Sequence, residues 1–151
     1  MTYIFSAAIS GKYLSTIGKE SGLKYGMLLI TVQLIGLGFL KYVDSATWFV
    51  GLSILAQCLG GVGAGINVTC AMAIITSHYP DEREENIGIL EGGTGLGLLL
   101  GPLLGSVLYA LGGYSLPFWT VGGICILLFP VLKHTCTIIK QEGESLKSVS
   151  A

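Results

Sequence analysis

Charge is what this chain has least of. Only 11% of its 151 residues are Asp, Glu, Lys or Arg, where a soluble domain carries about 25%. With 52% hydrophobic residues, a water-facing surface cannot be assembled around a core. A basic patch is also lacking: the formal net charge is −1 and the charged islands mix both signs, which excludes a nucleic-acid-binding surface. The four cysteines Cys58, Cys70, Cys125 and Cys136 have no metal-type spacing and read as small apolar fillers. No nucleophile with an adjacent base, metal-ligand cluster or phosphate-cradling loop is legible, so neither enzyme activity nor a bound cofactor is expected.

What the chain does have is apolar length. Uncharged spans run from Tyr25 to Leu40, from Ser45 to Ser77 and from Gly92 to Leu132, the last broken by Gly112, Gly113, Tyr114, Ser115 and Pro117. A helix crossing the bilayer core needs about 20 apolar residues. The spans therefore predict four crossings, near 25–43, 47–77, 87–111 and 116–134, and an all-α integral membrane fold. Met1 to Ser10, MTYIFSAAIS, is apolar but about half the necessary length. It has no basic leading region, so it reads as a truncated helix rather than a signal peptide. From Lys140 to Ala151 no apolar period remains; residues 1–139 read as the helical domain and 140–151 as a flexible tail or the start of a linker.

Seven of the eight basic residues, Lys12, Lys19, Lys24, Arg83, Lys133, Lys140 and Lys147, fall on one side of this alternating topology, and Lys41 alone on the other. The positive-inside bias makes the side of the seven, with the C-terminus, cytoplasmic. Trp48, Trp119, Tyr42, Tyr109 and Tyr114 fall near predicted interfaces and suit an aromatic belt. Asn67, Val68 and Thr69 form a glycosylation sequon that a membrane span would make inaccessible.

The stretch GGTGLGLLLGPLLGSVLYALGG, Gly92 to Gly113, is rich in glycine and carries a central proline. In water each such glycine costs about 1 kcal/mol against alanine and the proline about 3 kcal/mol. Gly93, Gly97, Gly101 and Gly105 recur at every fourth position and predict a shallow stripe along one helix face, where another backbone can approach closely within lipid. Pro102 removes a ladder bond, a defect that neighbouring helices can cover. Gly60, Gly61, Gly63 and Gly65 form a second small-residue patch on the preceding crossing.

Glu91 is the acidic residue set inside an apolar run. An intramembrane carboxylate is a functional candidate by default, able to pair with an amine or accept a proton; it is also near enough to the edge to snorkel out. Its helical angle places it nearly opposite Gly93. Gln57 falls near mid-bilayer, where it either lines a polar cavity or bonds to a neighbouring helix. Gln33, Asn67, Thr69 and Thr94 are secondary candidates. The acidic run Asp81, Glu82, Glu84 and Glu85 favours the positive end of the helix that follows.

The arrangement GTGLGLLLGPLLGSVLY resembles the antiporter motif of the major facilitator superfamily, found in the fifth helix of proton-coupled exporters. Gly11 to Lys19, GKYLSTIGK, resembles the loop between that superfamily's second and third helices, with Gly11, Gly18 and Lys19 matching. Ser15 and Thr16 stand where the family has an Asp and a basic residue. SILAQCLGGVGAG resembles the fourth-helix motif, with Gln57 at the position of an arginine linked to proton coupling; a neutral amide cannot hold a carboxylate's charge as a guanidinium does. The stretch HYPDEREENIGILEGGTGLGLLLGPLLGSVLYALGGYSLPFW is similar to the vesicular amine transporter family. GKYLSTIG, ILEGGTGLGLLLGP and GGYSLPFW are most like its vesicular polyamine transporter branch.

The resemblance implies part of the N-terminal half of a major facilitator fold, namely the tail of helix two and helices three to six. It also implies proton-driven antiport of small organic cations, polyamine or monoamine, at a vesicle or plasma membrane. In such transporters the substrate path lies between two halves, and the glycine-rich helix packs on the other half. The expected partners are therefore the lipid bilayer, an organic cation, and a missing transporter half or another membrane chain, the sequence being read as a fragment. A rival expectation is a non-transporting membrane protein that binds a full-length relative through its glycine stripe.

Overall fold

In the computed structural model, which describes residues 19–149, four helices follow one another with short connections. Helix α1 (Lys19–Phe39) passes into a 3-10 turn (Leu40–Tyr42), and α2 (Ala46–His78), α3 (Arg83–Gly112) and α4 (Ser115–Val149) follow. All four are long and apolar enough to cross a membrane. Each expected crossing has its helix, with ends displaced by a few residues. The exception is the final helix, which continues past its expected crossing to Val149. Gln141, Glu142, Leu146 and Lys147 are good helix formers, and adding residues to a helix already nucleated in the membrane needs no new nucleus. Met1–Ser10, with Gly11 and Gly18, lies outside the described residues.

Successive helices are antiparallel, and α1 lies between α2 and α4. On one side Lys19 meets Ala73, Gly26 meets Gly63, and Gln33 meets Gln57. On the other, Gly38 meets Ser115 and Trp119, while Leu34 and Ile35 meet Gly122. The end of the bundle bearing Lys19, Lys24 and Arg83 is called the basic end below.

Small residues set the α1–α2 crossing. A Cβ added at Gly26 would lie 2.8 Å from the Gly63 carbonyl oxygen, and one at Gly63 would lie 2.9 Å from the Gly26 carbonyl oxygen. Two backbones in contact gain dispersion where lipid provides no hydrophobic drive between helices. At the far end, Ser115 Oγ donates to the Gly38 carbonyl at 2.8 Å in a buried contact. Phe39 stacks obliquely on Trp119 (5.8 Å), and Tyr114 lies between Phe49 (6.0 Å) and Phe118 (5.1 Å), geometry that favours aromatic rings. Cys70 and Cys136 are fully buried, as fillers would be.

Helix α3 is the loosely held member, with no buried residue. It continues through Pro102 and stops at Gly113, whose N–H donates to the Tyr109 carbonyl at 2.8 Å. The φ of +70° at Gly113 is one that glycine alone adopts without strain. Hydroxyls within the helices are satisfied locally: Thr31, Ser53, Thr69, Thr94 and Thr120 each donate to the carbonyl one turn back, as lipid requires of every polar group.

Candidate functional site

The start of the glycine stripe, Gly93 and Gly97, and Glu91 occupy different faces of α3, as their helical angles require. Around Gly93, Gly97, Gly101 and Gly105, added Cβ atoms would meet nothing within 4 Å. The stripe therefore makes no packing contact with the other described helices. The close approach that glycine permits is realised instead at Gly26 and Gly63, in a crossing whose α1 member the four-residue repeat could not disclose.

Glu91 turns toward α2. With Leu90, Thr94, Gly95 and Leu98, one turn apart along α3, it lines a groove of about 570 Å³. The opposite wall is Ala64, Asn67, Val68, Ala71 and Met72 of α2, and Ile30 of α1 closes the side. Glu91 lies about 12 Å along the helix from Arg83 at 1.5 Å per residue, and it makes no hydrogen bond or ion pair among the described residues.

Three polar groups, Glu91, Thr94 and Asn67, thus interrupt an otherwise apolar groove. The carboxylate of Glu91 only accepts hydrogen bonds when ionised. Thr94 has spent its proton on the Leu90 carbonyl, at 2.9 Å, and faces outward with lone pairs. Asn67 adds an amide, with an acceptor oxygen and two N–H donors. Such a set complements a group with several N–H donors and a positive charge, because an ammonium has three donors and no acceptor. Sequence reading ranked Asn67 and Thr94 below Glu91; their link is tertiary, since 67 and 94 share a groove only once α2 and α3 lie antiparallel.

Gln57 is exposed on α2, about 16 Å from Ala46 at 1.5 Å per residue. Its Oε1 accepts from Gln33 Nε2 of α1 at 2.9 Å, so it bonds to a neighbouring helix, one of the two roles open to it. Gln33 fits because position 60 is glycine: a Cβ there would collide with its amide. Lys19 begins α1, and its Nζ donates to the Ala73 carbonyl at 3.3 Å, a favourable place for a cation near the C-terminal end of α2.

Four apolar antiparallel helices, with a carboxylate in a groove between α2 and α3, define a multi-pass integral membrane protein. The chain belongs to the Major Facilitator Superfamily, whose family model matches residues 1–138. It is 29% identical to the rat MFS-type transporter SLC18B1 over 144 residues, 95% of this chain and 31% of that protein. It is 34% identical to the human synaptic vesicular amine transporter over 76 residues, 49% of this chain and 15% of the relative. With the rat chromaffin granule amine transporter it shares 31% identity over 102 residues, 66% of this chain and 19% of the relative. The chain thus spans less than a third of the length of these relatives. Their names describe transporters rather than enzymes. No solved structure matches the chain.

Proposed function

We propose that the chain forms part of a proton-coupled antiporter of small organic cations, of the polyamine or monoamine type, with the basic end cytoplasmic. Glu91 is the charged participant, exchanging a proton for an ammonium group, and Thr94 and Asn67 add acceptors around it. The observation that carries this reading is the groove in which the Glu91 carboxylate stands with Thr94 and Asn67 between apolar walls, since a carboxylate within a membrane-spanning helix is a functional candidate by default. Its likeness to proteins named as amine transporters supports the same class of substrate.

The test is amine uptake into proteoliposomes under an imposed pH gradient, using the product that carries this chain. Glu91→Gln keeps the shape and removes the charge and the proton. Uptake should fall at least tenfold; uptake equal to that of the unsubstituted protein overturns the role of Glu91.

The bare stripe on α3 favours a second reading, in which Gly93 to Gly105 and Pro102 pack on helices of another chain. A Gly97→Cys variant should then crosslink to a longer relative, identified by mass. Amine uptake without any such crosslink favours the first reading.

A further inference from the structure

The glycine contact between α1 and α2 and the Glu91 groove share two side chains. Ile30 stands four residues after Gly26 on α1, and Asn67 four after Gly63 on α2, so each glycine has a groove residue one turn away on its own helix. Across the crossing the pairs interlock: Gly26 lies against Asn67, and Gly63 against Ile30. Both Asn67 and Ile30 line the groove, and Ile30 is the residue that α1 contributes to it.

The atoms in contact decide what each glycine controls. A Cβ added at Gly26 would lie 3.1 Å from the Asn67 backbone nitrogen and 3.2 Å from the Asn67 Cβ, inside the separation of about 3.5–4.0 Å at which carbon atoms pack. Neither atom moves when the side chain changes rotamer. Relief therefore needs the root of Asn67 to move, and the amide travels with it. No hydrogen bond among the described residues holds that amide independently. A Cβ added at Gly63 would lie 3.2 Å from Ile30 Cγ1. A β-branched side chain in a helix has one strongly preferred χ1, so Ile30 shifts as a unit with α1. Gly38 differs: a Cβ there would collide with the Trp119 indole at the α1–α4 crossing, and neither residue lines the groove.

We propose that Gly26 and Gly63 are positioning residues of the ammonium site: by letting α1 and α2 touch, they set where the Asn67 amide and the Ile30 side wall stand relative to Glu91. The inference rests on the reading of Glu91 as that site. Binding groups work when held within about 0.5 Å of their productive geometry, and the displacement that an added Cβ demands is of that order.

Binding of two amines, n-hexylamine and the wider 4-tert-butylphenethylamine, to the product that carries this chain tests the point, measured by calorimetry in detergent on the folded fraction. Asn67→Ala should weaken hexylamine about tenfold, the worth of a hydrogen bond to a charged group, and Gly26→Ala about three- to tenfold by the same route. In the Asn67→Ala background, Gly26→Ala should cost about twofold or less, because the amide it displaces is gone. Gly38→Ala, which disturbs the other crossing, should lower the melting temperature and leave both affinities unchanged. Ile30→Ala adds no atom to the crossing and carries the test where Gly26→Ala does not fold. It opens the side of the groove, so the wider amine should gain on hexylamine by about threefold or more, a methylene's worth of room counting for about tenfold in a closed pocket. Unchanged affinity in Gly26→Ala, the same loss with and without the Asn67 amide, a matching loss in Gly38→Ala, or an unchanged ratio in Ile30→Ala overturns the proposal. Loss of binding in Glu91→Gln alongside any of these spares the ammonium site, whereas failure of the unsubstituted protein to bind either amine removes both.

Discussion

Replacing Gly63 and Gly97 by alanine, one at a time, separates the glycines that hold this bundle together from those that do not. In either helix the substitution gains about 1 kcal/mol of helix propensity. At Gly97 nothing lies within 4 Å of the new Cβ, so that gain stands alone. At Gly63 the new Cβ lies 2.9 Å from both the Gly26 carbonyl oxygen and the Leu29 Cβ. Neither atom can swing away, so α1 must move off α2, and overpacking of this kind costs about 1–3 kcal/mol.

Because the propensity gain is common to both, the difference between the two variants reads the clash alone, about 1–3 kcal/mol. At about 2–4 °C per kcal/mol for a chain of this size, Gly63→Ala should melt about 2–12 °C below Gly97→Ala. Thermal unfolding of the detergent-solubilised chain, followed by helical circular dichroism, measures the interval. Equal melting temperatures, or a lower one for Gly97→Ala, would refute the assignment of the packing seam to α1 and α2.

Two further substitutions probe the end of the bundle opposite the basic end. Ser115→Ala removes the buried bond to the Gly38 carbonyl and should cost about 1 kcal/mol, read as a lower melting temperature with a change in Trp119 fluorescence. Gly113→Ala forces a side chain onto a backbone with φ +70° and ψ −162°, a strain of about 1–3 kcal/mol; the same melting experiment should show a loss, and no loss would mean that the α3–α4 turn relaxes freely.

The crossings were legible because lipid leaves few options. A run without charge must be helical and must be long enough, and the breaks at Lys41 to Asp44, Tyr79 to Glu82 and Gly113 mark the connections. Glu91 stood out for the same reason, as a charge inside an apolar run. Beyond Lys140 the last helix continues to Val149, because a helix leaving the membrane needs only continued propensity, not an apolar period. The partners of each side chain were not legible. Gly22 and Gly26 stand four apart in α1 and are both buried, a short signal overshadowed by the longer stripe on α3, and nothing local joins Gln33 to Gln57 or Asn67 to Glu91.

The glycine motif on α3 shows why the most conspicuous repeat is not the internal seam. A stripe at every fourth position describes one face of one helix, and close packing needs a second face brought opposite it. Within the described residues that second face exists for Gly63, which has Gly26, and not for Gly97. The helix therefore carries two separable properties: an apolar small-residue stripe with nothing against it, and, about half a turn around from its start at Gly93, a carboxylate turned toward α2. Substitutions on the first face should leave the Glu91 groove intact, since Leu90, Glu91, Thr94, Gly95 and Leu98 supply its α3 wall and none belongs to the stripe. A Gly97→Leu variant that retained amine binding while losing crosslinking from the stripe would separate the two faces functionally; joint loss would mean that the position of α3, and with it Glu91, depends on what covers the glycines.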